Sequence, residues 1–311
     1  MGRLTAPPPA PAPPAAPPPG LGLWVEAARP KTLPAAVAPV LVGVGLAWEA
    51  GAFHAAAAAC ALAGAVLIQV GTNYSNDAED FVRGADTDAR KGPRRATASG
   101  AVTAGQMRAA AGLAFALAVA AGGFLIWRGG WPVLALGFVS IASGVAYTAG
   151  RYALAYTGLA DVFVLAFFGP VAVGGTYYVQ ALSLPAWVPI AGLGPGFLAT
   201  AILLANNVRD VDEDCAADKR TLVVRFGRAF GVRLYNACLS GALVVPASLA
   251  LVARDHVGVL AASALVAVLG RRLGRTLATT RDPAVLNPLL GKTAGLLFLY
   301  SVAFALGWAL T

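Results

Sequence analysis

Two stretches of the sequence gather the side chains that can do chemistry. The first, "TNYSNDAEDFVRGADTDARKGPRR" at 72–95, carries Asp77, Glu79, Asp80, Asp86 and Asp88 among Arg83, Arg90, Lys91, Arg94 and Arg95. The second, "NNVRDVDEDCAADKRTLVVRFG" at 206–227, carries Asp210, Asp212, Glu213, Asp214 and Asp218 with Arg209, Lys219, Arg220 and Arg225. On a helix, Asn73, Asn76, Asp77 and Asp80 fall at i, i+3, i+4 and i+7, which is one face. Asn207, Asp210 and Asp214 repeat the spacing at i, i+3 and i+7, with Asn206 one step aside. Carboxylates that share a face repel one another unless a cation lies between them. Mg²⁺ suits such oxygens, because it takes one or two carboxylates and fills its other positions with water and substrate phosphates. The neighbouring Arg and Lys cannot bind a metal, but they grip phosphate oxygens. The pattern predicts a magnesium–diphosphate site. Ordinary surface ion pairs, worth ~0–1 kcal/mol each, would explain one such stretch; two with the same stripe call for a site.

Each stretch follows an apolar run, and the composition says where those runs belong. The chain has 311 residues, 58% hydrophobic and 12% charged, whereas soluble domains carry about 25% charged residues. A spanning helix needs about 20 mostly apolar residues. Nine such runs are read, at 33–51, 54–76, 104–127, 130–149, 157–181, 186–208, 230–253, 256–274 and 287–310. The fold class is therefore an all-α polytopic membrane protein. With the N-terminus cytoplasmic, all 23 Lys and Arg except Arg128 and Arg254 fall inside, as the positive-inside rule requires. The net charge of +8 is then a topology signal, and nucleic acid is excluded as a partner. The inner carboxylates serve no such purpose, and polar groups at membrane depth point to function.

Other features carry less. Cys60, Cys215 and Cys238 lack paired spacing, so neither a disulfide framework nor a zinc site follows. His54 and His256 read as surface residues. Residues 1–22 form a Pro/Ala-rich tail with no means of building a core, and its prolines fill the place of a signal peptide's apolar region. Residues 23–311 form one domain.

The quoted strings resemble the aspartate-rich motifs of the UbiA superfamily of membrane aromatic prenyltransferases. "NDAEDFVRGAD" with "RKGPRR" is similar to the first motif and "NNVRDVDEDCAADKRTLVVRFG" to the second. "ARPKTLPAAVAPVLVG" at 28–43, "YTAGRYALAYTGLAD" at 147–161 and "FFGPVAVGGTYYVQ" at 167–180 look most like the branch acting on 1,4-dihydroxy-2-naphthoate. Ala78, Ala153 and Leu154 depart from the pattern. The resemblance covers about residues 24–309. It implies nine transmembrane helices around a central cavity, capped by polar loops on the cytoplasmic side of the plasma membrane. It further implies transfer of a polyprenyl chain from polyprenyl diphosphate to 1,4-dihydroxy-2-naphthoate with decarboxylation, giving demethylmenaquinone. Other acceptors, such as 4-hydroxybenzoate or homogentisate, and a cation or phosphate transporter are the alternatives. Prenyl chain length and oligomeric state stay open.

Roles follow for named residues. Asp77, Asp80, Asp86, Asp210 and Asp214 hold Mg²⁺. Asn73, Asn76, Asn207, Arg94, Arg209 and Lys219 bind the diphosphate. Asp161 either takes a phenolic proton or caps its helix. Arg29 and Lys31 contact the acceptor carboxylate or anchor the first span. Tyr147, Tyr156, Phe167 and Tyr177 line the cavity or pack.

Overall fold

The computed structural model describes residues 20–85, 91–92, 95–150 and 153–311. Among them every regular element is helical, and no strand occurs. Long runs of Ala, Leu, Val and Gly without water-seeking side chains leave the backbone one way to satisfy its N–H and C=O groups in lipid, within the helix itself.

In chain order, α1 (Leu21–Ala27) and a 3₁₀ turn lead into α2 (Pro34–Glu49). These meet at a 54° bend, where Pro30 and Pro34 remove backbone donors. Then come α3 (Ala55–Val82), α4 (Ala104–Gly129), α5 (Trp131–Ala146), the single turn α6 (Leu154–Thr157) and α7 (Ala160–Ala181). The second half holds α8 (Trp187–Arg209), the short α9 (Val211–Ala216) and α10 (Leu222–Phe226), then α11 (Arg228–Val252), α12 (Val257–Thr279) and α13 (Pro283–Ala309). Among the described residues, seven helices are long and apolar enough to cross a membrane, namely α3, α4, α7, α8, α11, α12 and α13. The bent α1–α2 pair makes an eighth candidate, and α5 is apolar but shorter. The chain is a multi-pass membrane protein.

α3 packs along α4, α8 along α11, and α13 along α2. The main core runs through α2, α8, α11, α12 and α13, with Leu46, Leu198, Leu204, Leu297 and Phe304 fully buried. α7 breaks its own ladder at Phe167–Val171, where Gly169 leaves helical geometry and Pro170 follows. At that break α7 touches α8 through backbone: a Cβ on Gly192 would come 2.8 Å from Gly169.

The two histidines differ from the surface reading. His54 caps α3 by accepting from the Ala57 amide at 3.2 Å. His256 stacks on Trp308 with ring centres 4.1 Å apart. Both end runs of helix, where an aromatic ring with polar nitrogens satisfies backbone and packing together.

Gly192→Ala should lower the melting temperature of the detergent-purified protein by several degrees, since overpacking a close contact costs roughly 1–3 kcal/mol. Gly112→Ala, whose new methyl meets nothing within 4 Å, should not. Thermal unfolding of both variants checks this, and equal melting would contradict it.

Candidate functional site

The lower half of α3 carries the first acidic stretch. The helix continues past its apolar part to Val82, which delivers Asn73, Asn76, Asp77 and Asp80 to one end of the bundle, all buried. The second stretch arrives by a different route. α8 stops at Arg209, Asp210 serves as its C-cap, and α9 starts anew. Asp218, at φ 51°, then turns the chain so that the Lys219 amide donates to the Asp214 carbonyl at 2.8 Å. Short polar residues tolerate this left-handed backbone better than most.

The two stretches meet on one ammonium group. Lys219 Nζ lies 3.5 Å from Asp80 Oδ2 and 3.8 Å from Asp214 Oδ1. Asp80 also receives Arg95 Nη2 on Oδ2 at 2.6 Å and the Tyr156 hydroxyl on Oδ1 at 2.9 Å. Burial pushes the Asp214 carboxyl up to about 7; Lys219 opposes that rise, and Asp210 and Asp80 add to it.

Below this mouth opens a cavity of about 870 Å³ lined largely by apolar side chains of α2, α3, α4, α5, α7 and α8. Its charged lining residues are Arg29, Asp80, Arg95, Asp161, Asp214 and Lys219, with Asn73, Asn76, Asn206 and Asn207 beside them. Asp161 sits in the first turn of α7 without making a side-chain cap bond. Both its carboxyl oxygens are buried with no hydrogen-bond partner among the described residues. Tyr147 and Phe167 line the same space, and Phe167 stacks on Phe163 at 5.9 Å.

Several predicted residues lie elsewhere. Asp77 does not line the cavity: it accepts from the Ala96 amide at 3.2 Å, the Thr97 amide at 3.0 Å and the Thr97 hydroxyl. The loop after Arg95 therefore folds onto it. Asp210 and Arg209 are absorbed by each other through two contacts of 2.6 Å. Arg209 also binds Asn206 at 2.8 Å and Asn287 at 2.9 Å. Asp210, the cap between α8 and α9, is thus occupied by Arg209 and, unlike Asn207 and Asp214, does not line the cavity. Asn73 donates to Ala28 O at 2.8 Å, tying α3 to the bent first segment. Lys31 is exposed and Tyr177 packs on Trp187 at 6.2 Å; neither lines the cavity. Asp86 and Arg94 fall outside the described residues. Spacing gave no notice of Thr97 on Asp77 or of Thr148, which donates to Asn76 Oδ1 at 2.7 Å.

Among the described residues no three His, Cys, Asp or Glu side chains converge, so a protein-only metal cage is not built. Two carboxylates and several amide oxygens beside a basic mouth fit a hard divalent ion that shares its coordination with phosphate and water. They do not fit zinc, which prefers nitrogen and sulfur.

The family model for the UbiA prenyltransferase family matches residues 36–302. The 1,4-dihydroxy-2-naphthoate octaprenyltransferase of Escherichia coli is 36% identical over 295 residues, 91% of this chain and 94% of that protein. The protein of the same description from Mycobacterium tuberculosis is 43% identical over 71% of this chain and 76% of its own length. Among solved structures, a UbiA homologue from Archaeoglobus fulgidus bound to DMAPP and Mg²⁺ overlays with a TM-score of 0.63 at 16% identity, covering 91% of this chain and 99% of that one.

The raised Asp214 carboxyl sets a pH dependence in metal-free protein. A proton held more tightly in the folded state stabilises it fully below the ordinary carboxylate range, and that contribution fades as pH climbs to about 7. In EDTA, the melting temperature of Asp214→Asn relative to wild type should rise between pH 5 and pH 8. Parallel melting curves across that window would contradict the assignment.

Proposed function

The chain belongs to the UbiA prenyltransferase family, and from that premise we propose that it transfers a polyprenyl group from polyprenyl diphosphate to 1,4-dihydroxy-2-naphthoate. The products are demethylmenaquinone in its quinol form, CO₂ and diphosphate. The observation that carries this reading is the meeting of Asp80 and Asp214 on Lys219, at the mouth of an apolar cavity. The relatives described above at 36% and 43% identity bear the name of that reaction.

In this reading Asp80 and Asp214 hold Mg²⁺ with the amides of Asn73, Asn76 and Asn207 nearby. Asp86 belongs to the same proposal. Asp77 and Asp210 act one step back, by fixing the loop at Thr97 and the Arg209 guanidinium. Bound Mg²⁺ supplies charge stabilisation for the departing diphosphate. Lys219 and Arg95 add fixed cations at the same mouth, and Arg94 and Arg209 extend the basic rim. The C–O bond to diphosphate breaks, and the leaving group takes the electron pair. The allylic cation left behind is sheltered by the apolar wall, which keeps water from quenching it. The electron-rich ring of the acceptor then forms the new C–C bond and loses its carboxylate as CO₂.

Asp161 suits the acceptor end, where its unpartnered carboxyl can take a phenolic proton near Tyr147. Arg29, at φ 54° in the cavity wall, is placed to face the acceptor carboxylate. Every charged residue lining the cavity belongs to the loop-rich end, which speaks against a path for ions across it. By this account the protein is a nine-span enzyme of the plasma membrane with N-terminus and mouth in the cytoplasm.

The test is product mass. Purified protein with Mg²⁺, mixed prenyl diphosphates and parallel acceptors should prenylate dihydroxynaphthoate and release diphosphate, and EDTA should abolish this. Asp80→Ala and Asp214→Ala should each lose at least about 100-fold in turnover, as loss of a principal charge-stabilising group does. Asp161→Asn should lower turnover with little change in the KM for prenyl diphosphate. Prenylation of 4-hydroxybenzoate alone would reassign the acceptor, and full turnover by Asp80→Ala would remove the metal assignment.

A further inference from the structure

Between the two acidic stretches lies α6, a single turn that neither stretch contains. Its Tyr156 reaches both. The hydroxyl donates to Asp80 Oδ1 at 2.9 Å. The ring lies beneath Lys219, whose Nζ is 5.2 Å from its centre, and beside Arg83, whose guanidinium carbon is 4.6 Å away. The Tyr156 carbonyl accepts from the Arg220 amide at 3.2 Å, and the next carbonyl, that of Thr157, accepts from Arg225 Nη2 at 2.8 Å. Gly158 closes the turn at φ +77°, and a Cβ there would meet Arg220 O at 3.0 Å. α6 is therefore pinned to the second stretch through backbone and to the first through one phenol.

The geometry points to Tyr156 as the positioning residue of the mouth: its hydroxyl fixes the rotation of the Asp80 carboxylate for a divalent cation, while its ring seats Lys219 for diphosphate. This rests on the functional reading above and deepens it. A carboxylate held by one oxygen swings about its last bond. Asp80 is held by both, because Arg95 takes Oδ2 while Tyr156 takes Oδ1. Lys219 is the contact that an incoming diphosphate competes for, and Arg95 and Tyr156 still hold Asp80 when Lys219 leaves it. The two tasks use different atoms, and substitutions separate them.

Equilibrium Mn²⁺ binding to the full chain in detergent, read by electron paramagnetic resonance without substrates, tests the hydroxyl. Hydrogen bonds to charged groups are worth enough to change affinity by about tenfold or more. Tyr156→Phe and Tyr156→Leu should therefore raise the Mn²⁺ dissociation constant by about tenfold. Tyr156→Gln, which keeps a donor, should stay within roughly threefold of wild type. The KM for prenyl diphosphate should rise for Leu and Gln, which lack the ring, and hold for Phe. Wild-type Mn²⁺ affinity in Tyr156→Phe overturns the inference while leaving the metal reading intact. A wild type that binds no Mn²⁺ overturns the metal reading itself. Should Tyr156→Phe fail to fold, Gln binding Mn²⁺ as weakly as Leu overturns the inference instead.

Discussion

Two carboxyls buried near each other need either a cation beside them or a proton on one of them. Asp80 and Asp214 come from helices far apart in the chain, and each is 7% exposed or less. Lys219 answers both, and the surrounding architecture serves that arrangement. Arg95 and Tyr156 anchor Asp80, the left-handed Asp218 returns Lys219 to Asp214, and α6 laces the two loops together. Under the function proposed above, Lys219 would be the partner that a metal and a diphosphate replace between the two acids.

This arrangement also explains why so few charges lie deeper. Beyond the mouth the cavity wall is aliphatic and aromatic apart from small hydroxyl and amide groups. One acid, Asp161, stands at the start of α7 with neither oxygen hydrogen-bonded among the described residues. An orphaned carboxyl in such a place costs folding energy.

Helical periodicity made part of the candidate site legible in the sequence. α3 stays helical through its acidic stretch, so Asn73, Asn76, Asp77 and Asp80 do fall together on one buried helix end. Spacing says less where the helix is interrupted. Asp210 aligns with Asn207 and Asp214 by spacing, but it caps α8 and its carboxylate is taken up by Arg209. Asp77 keeps its phase but loses its place in the cavity to a loop, and loop folding leaves no periodic trace. The role of Tyr156 was equally hidden, since an aromatic near a turn has no spacing that reveals which acid it will meet. The all-helical fold followed from apolar run lengths, but the nine crossings read from them did not: among the described residues seven helices are long and apolar enough, the bent α1–α2 pair makes at most an eighth, and α5 is too short.

Gly192 meets the broken part of α7 backbone to backbone, so no side chain can be added there without prising the helices apart. Gly122 on α4 and Gly137 on α5 differ: both line the cavity and would meet nothing within 4 Å on gaining a methyl. The α4–α5 flank is therefore where the cavity's contour can be changed one carbon at a time, at a distance in sequence from the acidic stretches.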